Sequence, residues 1–197
     1  MSTVGFMRQV HLEDIVDWLQ AETPRSWHPD ELAERMARWQ VRPESMTAHL
    51  HFVPGRYTRN LVFRNDAFEL VLNCWSPGAL SPVHEHAGQD CWVSVQAGAF
   101  DFENYPLLAG GRAPGVAQLG RPVRSLGAGV GFVDYRSTEE SVHRVASAGG
   151  RAVSLHLYAK PIDQCLVFDP SRQRCMLRSL RYDTVPPGWQ GAGSALN

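Results

Sequence analysis

Two histidines one residue apart, His84 and His86, are the first residues of the chain whose spacing suggests chemistry. In a β-strand, residues i and i+2 point to the same face, so H-x-H sets two imidazoles side by side, about 6–7 Å apart at the backbone. Both can then reach one metal ion. By the same rule Glu85 points away from both rings, and Asp90 falls in the connecting turn that follows. The segment RAVSLHLYA at 151–159 puts Ser154, His156 and Tyr158 on one face and Val153, Leu155 and Leu157 on the other. An apolar face serves packing between layers. A face of Ser, His and Tyr suits a polar lumen, in which Ser154 would orient His156 and His156 the Tyr158 hydroxyl. In YTRNLVFR, Tyr57 and Arg59 share a face while Thr58 and Asn60 take the other. An arginine directed into a barrel requires an anion. A substrate carboxylate is one partner, held by charge-assisted hydrogen bonds; a surface acid beside a sheet-edge Arg59 is the alternative. His11, His28, His49 and His51 have no partner at ligand spacing and are read as surface or capping residues.

The elements that must position these side chains follow from periodicity. Leu12, Ile15, Val16 and Leu19 recur at three- and four-residue spacing, a narrow helical stripe that ends before Thr23-Pro24. A second helix is expected from Pro29 to Gln40, with Leu32, Met36 and Trp39 on one face. From about Leu50 the period becomes two. Strands are expected at 57–64, 67–75, 91–96, 99–104, 130–135, 141–146 and 151–159, separated by Gly, Pro, Asn and Asp. The segment 109–115 reads as a loop, and Ala148-Gly149-Gly150 as a hairpin turn joining 141–146 to 151–159. Many short strands with turns between them make an all-β sandwich or barrel. The expected organisation is one domain: a helical segment at 1–48 packed on one side, a barrel at 49–184, and a poorly ordered or surface-draped tail at 185–197.

Composition excludes several classes. The 197 residues, 44% hydrophobic and 20% charged, are ordinary for a globular domain. A net charge of −1 argues against a nucleic-acid surface. Leu70 to Val83 is uncharged but broken by Pro77, Gly78 and Pro82, so no membrane helix is expected. Met1 to Val16 holds no apolar run of a signal peptide. The four cysteines, Cys74, Cys91, Cys165 and Cys175, form no C-x-x-C. Free thiols in a reducing cytoplasm are the expectation.

The wider spacing Gly78-x5-His84-x-His86-x4-Cys91-x6-Gly98 resembles the first signature of the cupin superfamily, small β-barrels or jelly rolls that hold a metal in the lumen. Cys91 stands where that signature usually has Glu. The second signature should supply one more histidine, and His143 in SVHRVAS fits, although Ser147 replaces a common Asn and the Pro-x-Gly before the histidine is absent. Three neutral imidazoles leave the metal's charge uncompensated and favour an anionic, chelating ligand such as a thiolate.

Together the strings YTRNL at 57–61, Cys74-Trp75 through His84, His86 and Cys91, VHRV at 142–145 and SLHLY at 154–158 resemble the cysteine dioxygenases, cupins that oxidise a thiol to a sulfinic acid. The resemblance spans about residues 57–158. It implies that His84, His86 and His143 bind iron(II) and that Arg59 holds the substrate carboxylate with Tyr57 nearby. Tyr158 is then the active-site phenol, supported by His156 and Ser154, and Trp75 a wall of the pocket. Cys91 matches a position that forms a thioether crosslink to the tyrosine ring in some members, so a Cys91–Tyr158 bond is implied. Partners would be a small thiol and O2, with neither nucleic acid nor membrane, in a monomer or weak oligomer. Two departures bear on the substrate. Tyr158 is followed by Ala159-Lys160-Pro161, not the Ser-Pro-Pro with a cis bond common in the family. Relatives acting on 3-mercaptopropionate carry Gln where this chain has Arg59, which favours cysteine. A different small thiol, a three-histidine zinc hydrolase or hydratase, and a non-enzymatic cupin are the alternatives.

Overall fold

The computed structural model describes residues 7–22, 27–137 and 142–190. In chain order the elements are β1 (Arg8–Val10), α1 (Leu12–Ala21), α2 (Pro29–Arg38), β2 (Trp39–Val41), α3 (Pro43–Met46), β3 (Tyr57–Arg64), β4 (Glu69–Trp75), β5 (Val83–His84), β6 (Cys91–Ala97), β7 (Phe100–Asn104), β8 (Leu107–Gly110), β9 (Gly115–Leu119), β10 (Val123–Ala128), β11 (Val133–Arg136), β12 (His143–Ser147), β13 (Ala152–Tyr158), β14 (Gln164–Asp169) and β15 (Arg174–Ser179). Two sheets face each other, as expected of a cupin-type barrel. One has five strands in the order β11-β6-β13-β4-β3, the other eight in the order β10-β7-β12-β5-β14-β15-β9-β8. Among the described residues no helix is long and apolar enough to cross a membrane.

The period-two rule explains how the five-stranded sheet divides its labour. Leu70 and Leu72 of β4, Trp92 of β6, and Val153, Leu155 and Leu157 of β13 form one buried cluster with Leu12, Ile15, Leu19, Leu32 and Met36 of the two helices. The helices therefore cover the sheet's outer face, and the alternate residues turn inward. α1 starts where Asp14 accepts a hydrogen bond from the His11 backbone N–H at 3.0 Å. His11 and His28 occupy the N-cap positions of α1 and α2. α2 ends at Arg38 instead of continuing to Gln40. Trp39–Val41 runs parallel to β1, because Gln96 Oε1 takes the Val41 N–H at 2.8 Å and the residue before Pro43 avoids helical backbone.

The structure corrects three further expectations. Ala148-Gly149-Gly150 is not a hairpin: β12 pairs with β7 and β5 in the eight-stranded sheet, β13 with β4 and β6 in the other. The turn carries the chain between sheets, because the inward residues of each strand find their partners across different ladders. The same crossing is made by β6 into β7 at Gly98, where φ is 73° and a Cβ would lie 2.7 Å from the Arg151 carbonyl oxygen; only glycine fits there. The loop expected at 109–115 shrinks to 111–114, since Leu107–Gly110 and Gly115–Leu119 are strands paired with each other. Finally, the segment after Val185 does not simply drape the surface. Val185 and Trp189 pack against the cluster that contains Leu61, Cys91 and Tyr158; residues 191–197, and Ser141 of the 141–146 strand, lie outside the described residues.

Candidate functional site

His84 ends the short strand β5 and His86 follows it. β12 brings in His143, which sits directly opposite His84 in the antiparallel ladder. The ligand atoms of the three rings all lie within 4.8 Å of one another. Ring centroids are 5.4 Å apart for His84–His86, 4.5 Å for His84–His143 and 4.8 Å for His86–His143. His84 Nδ1 is 3.0 Å from the Pro82 carbonyl oxygen. A proton there leaves Nε2 with its lone pair directed to the common point. His86 Nδ1 is buried without a hydrogen-bond partner, which suits a ring nitrogen that ligates a metal. Burial pushes His84 down to about 4, and burial, then the neighbouring histidines, holds His86 well below the ordinary histidine range. This keeps the His84 and His86 rings neutral, the form that ligates, and the trio fits a metal ion. His11, His28, His49 and His51 are no part of the cluster. Glu85 faces away, as expected: its carboxylate accepts the Leu166 N–H at 2.7 Å and fixes β14. Asp90 accepts from the Tyr135 hydroxyl.

The polar face of β13 looks into the lumen toward these rings. Trp75 donates its indole N–H to Ser154 Oγ at 2.9 Å, and Ser154 Oγ lies 2.8 Å from His156 Nε2. The expected relay stops there. His156 faces the Tyr158 ring at 6.2 Å between centroids instead of hydrogen-bonding its hydroxyl, and His156 Nδ1 is buried without a partner. Side chains at i and i+2 of a strand stand parallel, so these two rings face each other and the nitrogen does not reach the hydroxyl. The Tyr158 ring instead meets His86 edge to face at 5.4 Å, and its hydroxyl accepts from Arg59 Nη1 at 3.4 Å. Burial holds the Tyr158 phenol well above its usual range, and does the same to the Cys91 thiol. Cys91 lies directly opposite Tyr158 in the β6–β13 ladder, at the separation where cross-strand side chains touch. Tyr57 stacks on Trp75 at 4.6 Å.

Arg59 is 8% exposed, and the acid beside it is a buried one, not a surface acid. The partner is Glu69 at the start of β4, fully buried, with Oε1 2.8 Å from Arg59 Nη2. Glu69 also takes Arg64 at 3.4 Å and the Tyr182 hydroxyl. Arg64 in turn pairs with Asp163 at 2.8 Å. Burial works against the Arg59 charge, but the adjoining Tyr158 and Glu69 oxygens more than offset it and raise its pKa above the ordinary value. Arg59 Nε remains buried without a partner. Sequence reasoning missed Glu69. The signal was an acid in ELVLNCW at even spacing from Trp75, on the same face of the strand.

One small cavity of about 40 Å³ joins these groups, with Arg59, His84, His86 and Tyr158 in its wall. A metal site, a guanidinium donor and a protonated phenol converging on so small a space can bind a small anionic chelator and exclude bulk water. A family model described as cysteine dioxygenase type I matches residues 9–171 of the chain. Cysteine dioxygenase type 1 of Danio rerio is 29% identical over 178 residues, covering 86% of this chain and 84% of that protein. The human protein of the same name is 29% identical over 143 residues, covering 71% of this chain and 69% of its own. Among solved structures, a Klebsiella pneumoniae protein with a double-stranded beta-helix domain overlays 59% of this chain and 82% of that chain with a TM-score of 0.45 at 14% identity.

Proposed function

Because this chain belongs to the cysteine dioxygenase type I family, we propose that it is a cytoplasmic, iron(II)-dependent dioxygenase that adds both atoms of O2 to the thiol of L-cysteine, giving cysteine sulfinic acid. One observation carries the reading: Arg59, Tyr158, His84 and His86 line a single small cavity, and His143 completes the histidine trio beside it. Iron(II) held by His84, His86 and His143 would supply the electron-transfer chemistry that lets O2 react with a sulfur anion. The chain's own groups do the rest. The cationic site and Arg59 together favour a ligand carrying both a thiolate and a carboxylate. Arg59 Nε, unpartnered, is free to donate to that carboxylate. The Tyr158 phenol, kept protonated by burial, can donate a hydrogen bond to sulfur or oxygen without losing its proton. Trp75 and Ser154 fix the His156 ring beside it. Orientation of this kind lowers barriers by on the order of 7–11 kcal/mol at best.

The test is oxygen uptake by iron-loaded protein with cysteine, cysteamine and 3-mercaptopropionate, with the product identified by mass and the metal by elemental analysis. Cysteine is expected to be consumed fastest, with one O2 per sulfinate. Faster turnover of 3-mercaptopropionate would move the substrate to that thiol. Full activity with stoichiometric zinc would remove iron from the account. Cys91 and Tyr158 face each other across the ladder, and the crosslink between them would form with loss of two hydrogens to O2. Denaturing gels of protein that has turned over are expected to show two bands, merging into one in Cys91→Ser. A single unshifted mass with Cys91 intact would exclude the bond.

A further inference from the structure

Arg59 does not meet the cavity as a free cation. Glu69 holds its Nη2 at 2.8 Å, so inside the barrel one positive charge is already matched by one negative charge. The cavity has a second guanidinium. Arg178 of β15 lines the same small space as Arg59, His84, His86 and Tyr158. It stands opposite Cys165 of β14 in the hairpin ladder, and its charge acts on both Cys165 and the Tyr57 hydroxyl. Its residue is exposed, so Arg178 forms the rim where Arg59 forms the floor. The nearest elements offer it no acid. Glu85 is turned to the Leu166 N–H, Asp163 is taken by Arg64, and Asp183 by Arg56 and the Arg59 N–H. Among the described residues, Arg178 has neither an ion pair nor a side-chain hydrogen bond.

From this arrangement we infer that Arg178 is a specificity-determining residue of the substrate site: the carboxylate of an anionic thiol is bound between Arg59 on the floor and Arg178 at the rim. The inference rests on the thiol dioxygenase reading and adds to it. With Arg59 neutralised by Glu69, the uncompensated positive charge that selects a carboxylate is the one at the mouth. A rim charge also draws anions in from solution, an effect that salt screens.

The experiment uses the full-length, iron-loaded protein as wild type, Arg178→Gln and Arg178→Lys. Oxygen uptake gives KM and kcat, and anaerobic calorimetry gives Kd, each for cysteine and for cysteamine, which lacks the carboxylate. Arg178→Gln is expected to raise KM and Kd for cysteine about five- to twentyfold, between a surface pair and a charge-assisted one. kcat should stay within about twofold, and Kd for cysteamine should not move. Lysine should restore most of the loss. Raising the salt should weaken cysteine binding to the wild type and leave Arg178→Gln nearly flat. An unchanged Kd for cysteine in Arg178→Gln, or an equal loss with cysteamine, overturns the inference while the wild type still oxidises cysteine. A wild type that neither binds cysteine anaerobically nor consumes O2 with it overturns the dioxygenase reading itself.

Discussion

Alanine at position 143 is expected to leave a folded barrel that has lost its metal. His143 is one of only three ligand side chains that the described residues bring together, and the other two cannot close the site alone. Metal binding by four-ligand structural zinc sites amounts to about 10–16 kcal/mol, or roughly 2.5–4 kcal/mol per ligand. One ligand lost should therefore weaken binding on the order of 100- to 1000-fold. Purified His143→Ala should carry less than about a tenth of the wild-type metal by elemental analysis, and its oxygen uptake with cysteine should fall to background. The fold should survive, because β12 is held by its ladder to β7 as well as by the single pair with β5. His51→Ala is the control: His51 is exposed and lies outside the cluster, so metal and activity should both remain. Stoichiometric iron in His143→Ala would show that the ion is bound elsewhere.

His84 and His86 were legible from their H-x-H spacing, although β5 holds only Val83 and His84, and His143 was legible through the resemblance to the second cupin signature. Ser154, His156 and Tyr158 were legible by alternation: Val153, Leu155 and Leu157 between them are apolar, and the helices cover that face. Where alternation fails, the sequence is silent. β8 and β10 are almost wholly exposed, so neither face carries an apolar period, and both strands escaped notice. The turn at Gly149 looked like a hairpin because turn chemistry is local, whereas the choice of sheet is made by partners far along the chain: Phe100 and Asn104 for β12, Asn73 and Val95 for β13. The relay through His156 failed on a matter of ring geometry that period-two reasoning does not contain. Glu69 was the largest omission. A period-two reading places it on the lumen face, but not that the bulge in β3 between Leu61 and Phe63 lets Arg64 come level with it while Arg59 reaches it from four pairs away.

That omission carries the second large effect. Glu69→Ala should destabilise the protein by about 3–5 kcal/mol, the cost of stranding a buried charge. The loss falls on Arg59 more than on Arg64. Arg64 keeps Asp163, whose two oxygens lie 2.8 and 3.1 Å from its guanidinium, whereas Arg59 would retain only the 3.4 Å contact to the Tyr158 hydroxyl and the faces of the Tyr158 and Tyr182 rings. Glu69→Gln keeps an oxygen for hydrogen bonding but not the charge, and should lose less than the alanine variant. Urea unfolding of the iron-loaded proteins measures both. The alanine variant has a further signature. An unpaired Arg59 demands an anion, so carboxylates that bind the pocket should recover part of the lost stability, by RT ln(1 + [L]/Kd), and recover less in Glu69→Gln. A loss below about 1 kcal/mol in Glu69→Ala, the scale of an exposed pair, would mean that Arg59 does not depend on Glu69. The guanidinium would then be available to substrate from the outset, and the charge that selects a carboxylate would sit on the floor of the pocket.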